Sequence, residues 1–210
     1  MSKHEAAGIG MTTTNARSDV YCIDEQGYLD GVRQCQSPNQ DERPAGCEPE
    51  LVLVHGISLP PGEFGGRDIE RLFCNSLDWD EHPYFQRIRG LRVSAHVLIR
   101  RDGSLVQFVP FTRRAWHAGE SEFRGRERCN DYSIGIEMEG EDTVPYEEVQ
   151  YARLGKLCRS LLDAYPQLCA RRIAAHSDVA PGRKTDPGPA FDWLRLYDAL
   201  ALDTDLPNER

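Results

Sequence analysis

The segment HSDVAPGRKTDPGP, residues 176–189, carries an imidazole at His176, a carboxylate at Asp186 and an ammonium at Lys184, two residues before that carboxylate. Pro181, Gly182, Pro187, Gly188 and Pro189 crowd the same stretch. It therefore reads as a fixed, helix-free loop with His176 and Asp186 on its two flanks. Such a loop can offer two ligands to one metal ion and aim Lys184 at charge formed in a metal-assisted reaction. The same residue types also make ordinary turns and surfaces, and the loop alone does not choose between these readings.

A third ligand strengthens the metal reading. LVLVH, residues 51–55, is an apolar, valine-containing run that suggests a buried strand. His55 stands at its end, where functional groups carried by a rigid sheet concentrate, although a satisfied core histidine fits the same place. Two histidines, one carboxylate and an open position make the ligand set of a catalytic zinc site. In SIGIEMEG, residues 133–140, Ile134, Ile136 and Met138 alternate with Gly135, Glu137 and Glu139. This period of two puts both acids on the face opposite the isoleucines. One of them is poised for base chemistry if that face lines a cleft, and both are surface charges if it is solvated.

VHGISLPPGEFGG, HPYF, LRVSAHVLIRRDG, PFTRRAWHAG, GRERCNDYSIGIEMEG and RKTDPGPAFDW together resemble the AmpD-type zinc amidases of cell-wall recycling. The resemblance runs in order from about Gly27 to about Leu200 and extends more weakly to the wider type 2 N-acetylmuramoyl-L-alanine amidases and peptidoglycan-recognition proteins. It implies a Zn²⁺ held by His55, His176 and Asp186, with Glu137 as acid/base and Lys184 as transition-state stabiliser. The implied reaction is hydrolysis of the lactyl amide between (1,6-anhydro-)N-acetylmuramic acid and the L-Ala of a muropeptide. Gly56 departs from the Asn that commonly follows the first ligand, which bears on how substrate is gripped. Arg92 and Arg128 lie in the strongest motifs and suit substrate carboxylates through bidentate contacts. Gly56, Tyr84, Trp116 and His117 complete the expected substrate-binding set, while His96 reads as a structural residue behind the site. The competing expectations are a binding-only relative of the fold, an amidase acting on intact wall, and an unrelated zinc peptidase.

Composition agrees with an enzyme of this kind. The chain has 210 residues, 40% of them apolar, and a net charge of −9, which argues against nucleic acid as a partner. An anionic muropeptide then needs a locally positive cleft. No apolar run approaches the ~20 residues of a membrane span. The first residues lack the apolar core of a signal peptide, and the seven cysteines are scattered without a CxxC pair. A cytoplasmic location follows as the expectation.

These groups need a scaffold. Strands are expected near 51–57, 93–100, 104–110, 132–139 and 172–176, with a hairpin turn at Asp102-Gly103. Helices are expected at about 67–76, from Pro145 to just before Pro166, and at about 190–200. A hairpin among otherwise separated strands points to a mixed α/β fold, a central mixed sheet flanked by helices. Residues 1–20 are expected to be a disordered extension and residues 21–205 a single amidase domain. SPNQDERPAGCEPE, residues 37–50, reads as a polar loop.

Overall fold

The protein is described here by a computed structural model covering residues 20–200. Of the expected N-terminal extension, all but Val20 lies outside the described residues. In chain order the elements are β1 (Arg33–Gln34), β2 (Gln40–Glu42), β3 (Leu51–Ile57), α1 (Asp68–Phe73) and α2 (Pro83–Arg87). Then come β4 (Val97–Ile99), β5 (Leu105–Gln107), β6 (Arg113–Ala115), β7 (Glu122–Phe123) and β8 (Arg126–Glu127). β9 (Ser133–Glu139), α3 (Glu148–Ala164), β10 (Ile173–Ala175), α4 (His176–Val179) and α5 (Trp193–Ala199) complete the strands and α-helices of the described residues.

The fold is the expected mixed α/β arrangement. Six strands form one sheet in the order β1-β5-β4-β9-β3-β10. β10, β3, β9 and β4 run parallel, and β5 returns antiparallel beside β4. The reversal is made at Asp102-Gly103, where Gly103 takes φ +79° and the Asp102 carboxylate accepts from Ser104 N at 2.8 Å. β3 and β9 are buried along most of their length, as the continuous apolar run of β3 suits for a central parallel strand, while in β9 the acids of the alternating pattern are buried along with the isoleucines.

Each face of the sheet has its own packing. Val52, Val54, Val97, Ile134 and Ile136 meet Leu154, Leu157, Cys158 and Leu161 of α3. α3 is thus the long amphipathic helix that the spacing of its apolar residues dictates. Gln150 fixes its start, accepting from Glu147 N at 3.0 Å and donating to the carbonyls of Ile99 and Glu139 at 3.2 and 3.1 Å. On the other face Leu98, Val106 and Phe108 pack with Ile69, Leu72 and Phe73 of α1 and Phe85 of α2.

Among the departures from expectation, two lie close to the site-bearing strands. The loop after β10 is not helix-free, because residues 176–179 make one turn of helix before Pro181 stops it. The polar stretch before β3 contributes β2, which pairs antiparallel with β6.

Glu139, at the end of β9, is fully buried and serves as a structural anchor. Its carboxylate accepts from Gly65 N at 2.7 Å, Arg101 N at 3.1 Å and Arg100 Nη1 at 3.2 Å. Arg100 also reaches Glu70 of α1 at 2.6 Å and the Gly66 carbonyl at 2.8 Å. One buried network therefore ties the 58–66 loop and α1 to the sheet. Breaking a buried pair leaves uncompensated charge. Glu139→Ala is expected to cost on the order of 3 kcal/mol and to lower Tm by about 10 °C. Thermal unfolding checks this, and a Tm within a degree or two of wild type would show the network to be dispensable.

Candidate metal centre and substrate cavity

The parallel register builds the site. His55 of β3 is the direct partner of Glu137 of β9. β10 lies on the other side of β3, and His176 follows its last residue. Three chain segments thus release functional groups at the carboxyl ends of adjacent parallel strands, the place where open α/β sheets bind ligands.

The ligand atoms converge closely. His55 Nδ1 and His176 Nδ1 are 2.9 Å apart, and Asp186 Oδ2 is 3.0 Å from His176 Nδ1 and 3.3 Å from His55 Nδ1. Ligands at zinc distances of about 2.0–2.1 Å stand roughly 3.3–3.4 Å apart along a tetrahedral edge. The triangle is therefore close to one face of a tetrahedral coordination shell, slightly contracted. The donors are of the right kind as well. Burial lowers the His55 pKa to about 4, so its imidazole is neutral. Burial works to raise the pKa of Asp186, but the close approach of the His176 and His55 rings more than reverses this and holds the carboxylate well below its usual range. Two imidazole nitrogens and one carboxylate oxygen are a donor set that fits Zn²⁺.

The far nitrogens of both rings are occupied, which sets the tautomers. With His55 Nδ1 left as ligand, Nε2–H donates to His117 Nδ1 at 3.0 Å, and His117 Nε2–H donates to Ser133 Oγ at 3.2 Å. His176 Nε2–H donates to the Ala118 carbonyl at 3.2 Å. Burial, and then the neighbouring His55 and His96, push the His117 pKa well below its ordinary value, so its ring stays neutral and able to accept. Asn130 holds this segment in place, its side-chain oxygen accepting from His117 N at 3.1 Å and Ala118 N at 2.8 Å. Gly135 makes room for it, since a Cβ there would lie 2.4 Å from the His117 ring.

Glu137 shares the face of its partner His55 but not the bonding of Glu139. It is buried, its Oε2 has no hydrogen-bond partner, and burial followed by the Asp186 charge raises its pKa to about 8 against the opposing pull of Lys184. Lys184 is exposed on the cavity rim, and its charge is felt by both Glu137 and His55. All five groups line one cavity of about 600 Å³, within the range of small-molecule sites.

The expected substrate-binding residues separate into two groups. Tyr84, Gly56 and His117 border the cavity. His117 nonetheless spends both ring nitrogens on protein partners, which makes it an orienting residue for His55. Gly56 gives space to a side chain, because a Cβ there would lie 2.3 Å from the Tyr146 hydroxyl, which donates to the Pro187 carbonyl at 3.0 Å. Arg92, Trp116 and Arg128 stand off the cavity lining. Arg92 is exposed between the lining residues Leu91 and Val93, Trp116 anchors Ser94 through its backbone, and Arg128 pairs with Asp131 at 3.1 Å.

Sequence reasoning passed over Arg43. Its guanidinium donates to the carbonyls of Asp131 at 3.0 Å, Phe111 at 3.1 Å and Ser133 at 2.9 Å, and lies 3.2 Å from His96 Nε2. Burial lowers its pKa to about 10. His96 Nδ1 in turn accepts from Gly135 N at 3.0 Å, so Arg43 and His96 brace β9 behind the site.

The sequence profile of the N-acetylmuramoyl-L-alanine amidase family matches residues 46–189. The chain is 56% identical over 180 residues to the 1,6-anhydro-N-acetylmuramyl-L-alanine amidase AmpD of Escherichia coli, covering 86% of this chain and 98% of that relative. It is 48% identical over 176 residues to the AmpD of Haemophilus influenzae, covering 84% and 96%. Among solved structures, a selenomethionine derivative of AmpD superposes with a TM-score of 0.82 at 53% identity, covering 85% of this chain and 98% of that one. The amidase AmiD of Escherichia coli, solved with the substrate anhydro-N-acetylmuramic acid-L-Ala-D-gamma-Glu-L-Lys, superposes with a TM-score of 0.52 at 27% identity, covering 84% and 65%. Site geometry, sequence and fold thus converge: the chain belongs to the N-acetylmuramoyl-L-alanine amidase family and, within it, to the AmpD-type 1,6-anhydro-N-acetylmuramyl-L-alanine amidases.

Proposed function

We propose that this protein is a Zn²⁺-dependent amidase that hydrolyses the lactyl amide joining (1,6-anhydro-)N-acetylmuramic acid to L-Ala in free muropeptides, acting in cytoplasmic cell-wall recycling. The observation that carries the reading is the tetrahedral-face triangle of His55, His176 and Asp186 with Glu137 on the register partner of His55. The AmpD relatives and the AmiD complex support the substrate class. Cytoplasmic action draws on the cysteines, seven free thiols with no disulfide. No helix among the described residues is long and apolar enough to cross a membrane.

His55, His176 and Asp186 would hold the ion, which when bound polarises a carbonyl and lowers the pKa of a water from ~15.7 towards ~7. Glu137 takes the proton of the attacking water as general base. It then delivers that proton to the departing L-Ala amine, so that C–O bond formation and C–N cleavage share one carboxyl group. Its buried, unpaired oxygen and upward-shifted pKa suit a group that must hold a proton between these steps. Lys184 places a positive charge on the cavity rim for the oxyanion that develops at the carbonyl. His117 and Ala118 keep the two imidazoles in the tautomer that presents Nδ1. The direct test is incubation with a soluble anhydro-muropeptide and mass analysis of products. A free peptide beginning with L-Ala is expected. Turnover of intact sacculus alone would move the reading to a lytic amidase, and cleavage within the peptide would replace it.

Chelation is expected to abolish activity and added Zn²⁺ to restore it. Asp186→Ala is expected to lose bound metal and activity together, as followed by metal analysis beside rate. Full activity in metal-free protein would contradict the mechanism.

Glu137→Ala is expected to retain stoichiometric zinc and lose roughly 10²–10⁴ in kcat. Because its Oε2 makes no bond, Tm is expected not to fall, in contrast to Glu139→Ala. Equal kinetic losses in the two variants at a temperature where both are folded would remove the distinction between the acids.

Lys184→Ala is expected to keep zinc and lower kcat by on the order of 10²–10³ with KM nearly unchanged, since the charge it meets grows only in the transition state. A raised KM with wild-type kcat would reassign Lys184 to a ground-state carboxylate of the substrate.

A further inference from the structure

Two cysteines lie together at the edge of the sheet, outside the catalytic machinery. Cys35 follows β1, and its N–H donates to the Gln107 carbonyl at 2.9 Å. Cys74 caps α1, and its N–H donates to the Glu70 carbonyl at 2.9 Å. Their sulfurs are 3.2 Å apart, the one sulfur–sulfur contact among the described residues, and both side chains are half-buried.

The two backbones are fixed against each other without any help from sulfur. Ser37 Oγ donates to the Phe73 carbonyl at 2.5 Å, and the side-chain amides of Asn39 and Asn75 exchange hydrogen bonds of 3.0 Å in both directions. Arg33 pairs with Glu70 at 2.5 Å. A disulfide has its sulfurs about 2.05 Å apart. Closing the 3.2 Å gap therefore needs an approach of about 1 Å. Both residues are also partly open to solvent, which a small oxidant needs to reach them.

We propose that Cys35 and Cys74 are a redox modification site that closes reversibly to an intramolecular disulfide, with a low-molecular-weight disulfide as oxidant. One cysteine of the pair, as thiolate, attacks a sulfur of the oxidant, forming a mixed disulfide and expelling one small thiolate. The other cysteine, as thiolate, attacks the protein-side sulfur, closes the Cys35–Cys74 bond and expels the second small thiolate. The two protons lost by the protein end on the two released thiols, and two electrons pass from protein sulfur to the oxidant. Burial, and then the neighbouring Cys35, push the Cys74 thiol up to about 12, so closure accelerates as pH rises. Leu72 and Phe73, directly before Cys74, line the substrate cavity. The bond therefore clips that wall to the sheet edge, whereas at a reducing poise the pair rests as a dithiol.

The full chain, loaded with zinc, is incubated with excess oxidised glutathione and mapped by peptide mass spectrometry without reduction. The expected product is a Cys35–Cys74 cross-linked peptide about 2 Da lighter than its reduced halves, reversed by dithiothreitol. Tm is expected to rise on the order of 5–10 °C, and amide exchange in residues 68–76 to slow. Cys35→Ser and Cys74→Ser are each expected to abolish the cross-link. Stable glutathione adducts without closure, a cross-link between other cysteines, or an unreacted pair in the wild-type protein would each overturn the proposal.

Discussion

Three electron-rich atoms, two imidazole nitrogens and a carboxylate oxygen, stand within 3.3 Å of one another in a buried setting. Without a cation their lone pairs repel, so the scaffold must supply the positions. It does so by registry. β3 is hydrogen-bonded to β9 on one side and β10 on the other, and side chains at paired positions of parallel strands leave the same face at the same height. Rings so placed still need their rotation fixed. The bonds from their far nitrogens to His117 and Ala118 do this at modest cost, because those acceptors are themselves held by Asn130 and Ser133. The candidate metal centre is thus several residues deep, and its back wall is as specific as its front.

Glu137 and Glu139 show how one strand can set two acids to opposite uses. Both project from the same face of β9 and both are buried. Glu139 meets two backbone N–H groups and an arginine, which compensate its charge and make it an anchor. Glu137 meets an open cavity and the Asp186 carboxylate, which leave its charge poorly compensated and its proton held near neutrality. The difference lies entirely in what the neighbouring loops bring up to each carboxylate.

Much of this was legible in the sequence, for identifiable reasons. The LVLV run and the alternating isoleucines are strong period signals, and β3 and β9 fall where they place them. α3 is equally plain from its apolar spacing and its Pro boundaries. His55, His176 and Asp186 stood out because histidine and aspartate at a strand end and in a Pro/Gly loop are chemically conspicuous, and the fold brings them together. What was hidden is what depends on long-range contact. Glu139 looks like Glu137 in a period-two pattern, and only Arg100, Arg101 and Gly65 distinguish them. Arg43 sits in a stretch whose composition reads as a polar loop, and its value arises from carbonyls that β9 and its approach present to it. His117 carried no local sign that it would face His55, sixty-two residues away. The short helical turn at His176 escaped notice because breakers downstream were read as acting upstream too. Cys35 and Cys74 share no motif, and their proximity is a product of the tertiary fold alone.

The order of strands β9, β3 and β10 has a consequence for how the protein comes into being. His55 and His176, which face each other across less than a water's width, are separated by 121 residues of chain. Contacts of that span carry a loop-closure cost that must be met before they contribute to stability. β3 and β9 can pair before the segment that carries His176 and Asp186 has joined the sheet. A nascent chain ending before Asp186 exposes one or two isolated donors and no chelating face. The candidate metal site is therefore completed only when β10 and the loop that follows it join β3.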